Sequence, residues 1–486
     1  MSHQDKDGRT VVAYNFQALR DAVSWLLKAA NLSAIKFRED CTWSTLGLIV
    51  TALFWAWSDE PTLTRRFNKA RKIALKVLGR SALGKISPAP ATSYQAFMKL
   101  LRTWSPRLVE VLTEVFRGIM RTQMNKRFKI FGFAVFAVDG SRAELPRTKS
   151  NEERYSPQAP KKKGGKRFKA KRRNGGRQRK TRRLTRSEIK ARQKRAVQKK
   201  LNCPQMWLTV LWHVSTGLPW AWKTGPSDSS ERHHAREMLI ELPEKSLLVA
   251  DAGFTGYEFW KAVLDAGHHF VIRVGSNVRL LKNLGYVRER EGLVYLWPDK
   301  TSKKGQPPLV LRLVVAQKGR SKVYLVTSVL DRKRLSDKQV VELYRLRWGI
   351  ELYYRHLKQT FNRRKLRSTS PDNAEIEANW SILGLWAMSL HAEHVLIEHR
   401  IDPKRLSIAK TLDAYRQVMR EHKCRPDEGE SLTELLRQAL VDPYKRASKA
   451  SRDYPRKKQE PAAGPPKIRR ATREQIERAR SLATAA

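Results

Sequence analysis

Acid is scarce in this chain. Its 486 residues hold 46 Asp and Glu against 98 Lys and Arg, for a formal charge of +52 and a pI near 10.6. Such an imbalance repels itself in a compact fold, so a polyanion is the expected partner. An anionic membrane fits less well than nucleic acid, because the basic residues are not confined to amphipathic helices and aromatics are scattered throughout. Cysteine is nearly absent. Cys41, Cys203 and Cys424 lie far apart, which excludes a disulfide framework and the paired spacing of a zinc site. A reducing interior suits them, each as a small core residue. Long apolar runs are lacking too. Trp43–Trp57 falls short of the roughly 20 residues that span a bilayer, and Trp380–Ile397 is interrupted by His391, Glu393 and His394. Both read as buried helices, and no membrane partner is expected. The polar start MSHQDKDGRT shows no secretory signal. There is no phosphate-binding P-loop, so no nucleotide cofactor is implied. The pairs His233-His234 and His268-His269 are sequence neighbours that do not share a face, and solvent or DNA contacts are expected there rather than a metal. Ser141 has no identifiable general base.

What is present begins with helices. Residues 1–125 carry apolar positions at helical intervals and read as a helical N-terminal DNA-binding domain. Within it, TLTRRFNKARKIALKVLGR is either a helix lying on DNA or an ordinary solvated basic face. From about Phe128 the texture turns to strands. FKIFGFAVFAVDGS is an apolar run ending in Asp139, and KSLLVADAGF is a shorter one ending in Asp251. MWLTVLWHVSTGLPWAWKT resembles a hairpin around Thr216-Gly217, and the helix EFWKAVLDAG precedes the strand HHFVIRV. Alternating helices and buried strands predict an α/β domain over 126–400. Two segments interrupt it. Lys161–Lys200 holds twenty-one basic residues and one acid, and reads as a disordered loop that binds phosphate backbones; a nuclear-type address has a similar composition. Residues 275–335 contain GLVYLWP, PLVLRLVVAQ and SKVYLVTSVL, the pattern of a small β insertion. A helical region over 401–450 and a basic, largely disordered tail over 451–486, with room for a short terminal helix, complete the chain.

The stretch YRLRWGIELYYRHLK carries the chemistry. On a regular α-helix Tyr344, Arg347, Glu351 and Lys358 fall within an arc of roughly 60°, beside an apolar stripe of Leu343, Leu346, Ile350, Leu357 and Phe361. One carboxylate among cations and a phenol suits phosphodiester chemistry: the carboxylate for a metal, the cations for phosphate. Asp139 and Asp251, each at the carboxyl end of a buried strand, complete a set of three acids with no histidine or cysteine partner, which favours Mg²⁺ or Mn²⁺ over zinc. Taken singly each acid has an ordinary explanation. Asp139-Gly140 is a turn dipeptide, and Glu351 could pair with Arg347 or Arg355. Together, in one basic chain, they point to a metal-dependent nuclease or strand-transfer centre.

With these residues the chain resembles the DDE transposases of the IS-four insertion-sequence family. Tyr344, Arg347, Glu351 and Lys358 match that family's tyrosine-arginine-glutamate-lysine signature in every member and gap. AVDGSRAELPRT and ADAGFTGYEFW resemble the segments around its first and second catalytic aspartates, and the long β-rich gap before Glu351 is similar to its β insertion. The resemblance covers roughly residues 128–400, and the Lys161–Lys200 block departs from it. It implies a ribonuclease-H-like mixed sheet flanked by helices, with Asp139, Asp251 and Glu351 catalytic and holding two divalent ions. It implies too that Tyr344, Arg347 and Lys358 contact DNA phosphates at the element's terminal inverted repeats, before the released 3′-hydroxyl attacks target DNA. A homodimer in the DNA complex and a cytoplasmic, nucleoid-associated location are what the same resemblance implies. Relatives can cut through a hairpin with a flipped base, which an aromatic must cap; Trp297 is the candidate, and Arg273 the candidate contact to a distorted phosphate. A catalytically inactive, domesticated DNA-binding protein and a nuclease without strand joining are the alternatives.

Overall fold

A computed structural model describes residues 14–33, 35–38, 41–79, 93–157, 187, 203–318, 321–420, 431–442 and 464–484. The Lys161–Lys200 block, apart from Ser187, and Cys424 lie outside the described residues. Cys41 and Cys203 are half-buried, not core residues as expected.

The amino-terminal third is helical, as its periodicity predicts: α1 (Tyr14–Leu27), α2 (Thr45–Trp57), α3 (Leu63–Leu78) and α4 (Tyr94–Thr122). Hydroxyl side chains cap three of them. Ser44 accepts from Gly47 N, Thr62 from Arg65 N and Ser93 from Ala96 N, each satisfying a donor that the first helical turn leaves free. The run in α2 is buried continuously from Gly47 to Trp57, which explains its apolar residues on every face. Among the described residues no helix is long and apolar enough to cross a membrane. The basic face of α3 is partly engaged within the protein. Arg66 is buried with its Nε donating to the Glu60 carbonyl (2.8 Å), and Lys69 pairs with Asp59 (3.1 Å).

A ten-stranded sheet follows. Its central strands are β1 (Val135–Glu144), β2 (Gln205–His213), β3 (Leu218–Gly225), β4 (Leu247–Ala250) and β5 (His269–Val274). β2 runs antiparallel to both β1 and β3; β4 is parallel to β1 and β5 to β4. The resulting order β3-β2-β1-β4-β5 is the ribonuclease-H-like arrangement the resemblance implies. Gly217 turns the β2–β3 hairpin at φ +73°, a left-handed conformation that glycine adopts without a steric penalty. Two helices, α5 (Glu231–Glu237) and α6 (Tyr257–Asp265), belong to the β3–β4 and β4–β5 connections.

The segment expected as a β insertion forms strands that prolong this sheet. It forms β6 (Arg279–Lys282), β7 (Leu293–Leu296), β8 (Leu309–Lys318) and β9 (Ser321–Thr327). β9 pairs antiparallel with the edge of β5, and β8, β7 and β6 follow in turn. Extension satisfies the unpaired backbone groups that β5 would otherwise expose.

The chain then forms α7 (Asp337–Leu346), α8 (Gly349–Arg355), the long α9 (Pro371–Glu398) and α10 (Ile408–Arg420). One hydrophobic cluster runs from Leu19 and Leu53 through Val138 and Val249 to Trp386 and Tyr415, so the change of texture near residue 125 falls within a shared core. α2 and α9 approach closely. A β-carbon on Gly384 would lie 2.9 Å from Cβ of Ala56, and Trp57 Nε1 donates to the Gly384 carbonyl at 2.8 Å. The tail, expected as largely disordered, is structured over Gly464–Thr484. It forms β10 (Lys467–Arg470), parallel to β6, then α11 (Arg473–Thr484).

Candidate active site

The sheet register brings the two aspartates together. β1 and β4 pair through Ala137↔Val249. Carried two residues further, that register sets Asp139 level with Asp251 on strands about 4.8 Å apart. Asp251 sits just beyond the end of β4, as expected. Asp139 does not end its strand. β1 stays paired with β2 from Phe136↔His213 to Glu144↔Gln205, so Asp139-Gly140 is no turn. What ends at Asp139 is the burial: Val135 to Val138 are fully covered, and the strand then emerges half-exposed. The backbone ladder continues without needing an apolar surface, which is why the sequence alone suggested a shorter strand.

Glu351 arrives from the other side of the chain, and not on the single helix the sequence predicts. α7 stops at Leu346, α8 starts at Gly349, and His356–Thr360 winds as a π-helix. The four signature residues therefore occupy α7, the junction, α8 and the π turn rather than one regular helix. The expected apolar stripe breaks with it: Leu346 is 40% exposed, while Leu343, Ile350, Leu357 and Phe361 are buried. A π-helix inside an α-helix is frequently found at a functional site. Here it carries Lys358. Burial lowers the Lys358 pKa, with help from Arg364, while Glu144 and Asp139 oppose the shift.

Tyr344, Arg347 and Glu351 are in contact. The Arg347 guanidinium lies 5.5 Å from the Tyr344 ring centre, and its Nη2 donates to Glu351 Oε1 at 3.0 Å. Burial opposes the charge on Arg347, but Tyr344, Glu351 and Asp251 together hold its pKa above the ordinary value. Its Nε is buried and has no hydrogen-bond partner among the described residues, an unmet donor beside Glu351.

Asp139 is pushed up to about 6. Burial is the main cause, Asp251 and Glu351 add to it, and the Gly140 N–H and Arg347 work against it. Each acid is held by a near neighbour. Asp139 Oδ1 accepts from Gly140 N (2.9 Å), Asp251 Oδ1 from Gly253 N (2.8 Å), and Glu351 from Arg347. In these positions no three acidic, histidine or cysteine side chains among the described residues converge closely enough to hold a metal ion. The donor set nevertheless fits a hard cation, because every side-chain donor in it is a carboxylate oxygen.

Sequence reasoning missed two residues. Glu231, at the first position of α5, is pushed up to about 7 by burial and then by Asp139 and Asp251, with Arg142 and Arg232 opposing. Read as sequence it is an ordinary acid in a first helical turn; its place just past a strand and a serine pair was the available signal. Tyr354, on α8, donates to the carbonyls of Asp139 (2.8 Å) and Leu208 (3.1 Å).

Two expected DNA contacts fare differently. Arg273 lies near the carboxyl end of β5, opposite Leu325 and half-buried, on the strand next to β4. Trp297 is only 3% exposed. It packs with Leu284, Tyr295 and Ala479, and its Nε1 donates to the Gln306 carbonyl at 2.8 Å. Stacking on a flipped base needs a free ring face, so the Trp297 expectation is corrected: α11 and the neighbouring strands occupy that ring. In the histidine pairs His233 is exposed, as expected, while two other members are not. His234 and His268 are buried, facing the Thr209 hydroxyl and the Leu239 carbonyl.

Residues 131–386, slightly more than half of the chain, match the Transposase DDE domain family. The chain belongs to the DDE transposase family. Members of this family generally use divalent metal ions. The chain is similar to transposase InsG of insertion sequence element IS4 from Escherichia coli K12, 28% identical over 207 residues, 40% of this chain and 46% of that protein. It is also similar to a protein described as a transposase for insertion sequence element IS4SA of Synechocystis sp., 23% identical over 185 residues, 37% of this chain and 51% of that protein. This DDE transposase chain thus spans about half the length of these relatives. A solved synaptic complex of piggyBac transposase with hairpin DNA aligns over 93% of this chain and 90% of that one at 12% identity, with a TM-score of 0.38, too low to carry an argument.

Proposed function

We propose that the protein is a DNA transposase that cleaves at the ends of its own insertion sequence and joins them to target DNA, acting as a dimer that holds two ends. The supporting observation is the register that sets Asp139 level with Asp251, together with Glu351 bound to Arg347, whose buried Nε has no partner among the described residues. An unmet guanidinium donor next to carboxylates suits a phosphodiester, which supplies acceptor oxygens to the cation. Asp139, Asp251 and Glu351 would hold Mg²⁺ or Mn²⁺, which supplies Lewis-acid charge at the reacting phosphate. Arg347 then binds a phosphate oxygen through Nε while its Nη2 keeps Glu351 in place. Lys358, partly desolvated near Asp139, adds a second cation on the strand being cut. Arg273, at the same end of the sheet as Asp251, extends this basic surface along the DNA. A cytoplasmic, nucleoid-associated location belongs to the same proposal.

The test is incubation of the purified protein with duplexes of candidate element ends and Mg²⁺, followed by mapping of cut and joined strands. Wild-type protein should nick at a defined position, and Glu351→Gln should keep end binding while losing nicking by at least about 100-fold. Undiminished nicking by that variant would remove the proposed centre.

A further inference from the structure

We propose that Glu231 is a fourth carboxylate of the catalytic centre, holding its divalent cation together with Asp139 and Asp251. The inference rests on the transposase reading and assigns a residue that the three-acid set leaves out.

The helix α5 is anchored so as to deliver this side chain. On its first turn, Arg232 Nη1 donates to the Thr255 carbonyl at 2.9 Å, tying the helix to the loop that follows Asp251. One turn later the buried His234 meets the Thr209 hydroxyl of β2 at 3.0 Å through Nδ1. Thr209 is the residue paired with Gly140 in the β1–β2 ladder. The helix start is therefore fixed to both strands' neighbourhoods, that of Asp139 and that of Asp251.

Between those anchors Glu231 lies directly over Gly140. A β-carbon at residue 140 would stand 2.7 Å from Glu231 Cγ and 2.9 Å from Cδ, so the strand leaves out a side chain where the carboxylate passes. Trp207 closes the same space, 2.9 Å from that missing carbon, and its ring is covered by the Arg142 guanidinium at 4.5 Å. Glu231 and the Trp207 ring thus crowd one space beside residue 140. Desolvating a carboxylate next to two others costs free energy that an ordinary surface glutamate avoids. Arg142 and Arg232, the cations beside it, offset part of that cost. A bound cation relieves this repulsion.

The test measures Mn²⁺ binding to the full-length protein without DNA, by electron paramagnetic resonance of free Mn²⁺, alongside nicking of end duplexes. Glu231→Gln should weaken Mn²⁺ by at least about tenfold, and raised Mn²⁺ should restore its nicking. Glu231→Asp, shorter but still acidic, should fall between the two. Gly140→Ala should weaken Mn²⁺ as well, and adding it to Glu231→Gln should cost little more, because both changes act through one carboxylate. Circular dichroism identifies any variant that fails to fold, in which case the Glu231→Asp titration decides. Wild-type affinity in folded Glu231→Gln and Glu231→Asp overturns the assignment while leaving the three-acid centre standing. A wild-type protein that neither binds Mn²⁺ nor nicks DNA overturns the transposase reading and this inference with it.

Discussion

The Tyr354 hydroxyl donates to the backbone carbonyl of Asp139 at 2.8 Å, joining the helix that carries Glu351 to the strand that carries the first aspartate. A second bond, to the Leu208 carbonyl at 3.1 Å, extends the link to β2. The ring is buried, and burial drives the phenol far above its ordinary pKa, so it stays a neutral donor. Tyr354→Phe keeps the packing and deletes only the hydroxyl. It should cost about 1–3 kcal/mol of stability, because two buried acceptors lose a partner. Nicking of end duplexes should fall about tenfold while end binding holds, since the acids lose their common frame. Wild-type melting and wild-type nicking together would show that this link does not position the site.

Gly349 makes a second link of this kind. A β-carbon there would lie 2.7 and 2.8 Å from Cζ3 and Cζ2 of Trp212, and closer still to Cη2, so α8 can approach β2 only without a side chain at that position. Gly349→Ala must push the helix or the indole aside, at about 1–3 kcal/mol for overpacking. Glu351, two residues on, moves with the helix. Nicking should drop more than end binding, and Trp212→Leu in the same chain should restore part of the lost rate. Failure of the double variant to recover any activity would mean that the indole is not the obstacle.

How much of this was legible beforehand depends on what each residue touches. Asp139, Asp251 and Glu351 could be found because acids beside buried strands and a basic helix are rare, and the sheet register sets the two aspartates level. The buried runs of α2 and α9 were plain from hydropathy. The break between Leu346 and Gly349 was not, because apolar residues continue across it, and the close approach of Gly349 to Trp212 is a tertiary contact far away in sequence. Glu231 and Tyr354 were hidden for the same reason: their importance lies in tertiary neighbours. Trp297 misled in the opposite direction. Its place in an expected surface insertion suggested a free ring, whereas α11, from the far end of the chain, covers it.

The acid cluster also sets a pH dependence. Asp139 and Glu231 rise to about 6 and about 7 from ordinary values of 3.8 and 4.5. They face Asp251 and Glu351 on the acidic side, and Arg142, Arg232 and Arg347 on the basic side. A carboxylate raised in the folded state binds its proton more tightly there than in the unfolded chain. Its stabilising effect is therefore complete below the ordinary value and is lost as pH rises through the raised one. Without metal, these two groups should contribute a loss of stability between about pH 4 and pH 7. A divalent cation binds the deprotonated set, so its stabilisation should appear over the same interval. Thermal melts with and without Mg²⁺ should coincide near pH 5 and separate near pH 8, to an extent set by affinity. Asp139→Asn should flatten the dependence. An Mg²⁺ shift that is equal at both pH values would contradict the assignment of these carboxylates.

The carboxyl-terminal arm gives the last prediction. β10 pairs with β6 from Lys467↔Arg279 to Arg470↔Lys282, and α11 sets Ala479, with Leu482 beside it, against the cluster of Leu284, Tyr295 and Trp297. Arg478 Nη1 adds a bond to the Ser302 hydroxyl at 2.7 Å. β6 and β7 are four residues each, and only one register pair is recorded between them, so this end of the sheet is short of its own contacts. Removing residues 464–486 should uncover Trp297 and Tyr295 and leave β6 with an open edge. Each large apolar side chain returned to water costs about 1.5–3 kcal/mol. The loss should stay local, because the core strands β1 to β5 share none of these contacts. Hydrogen exchange should therefore quicken across residues 279–296 and remain slow across 135–138 and 247–250. Uniform quickening would make the arm a support of the whole sheet, and unchanged exchange would mean that it merely lies on the surface.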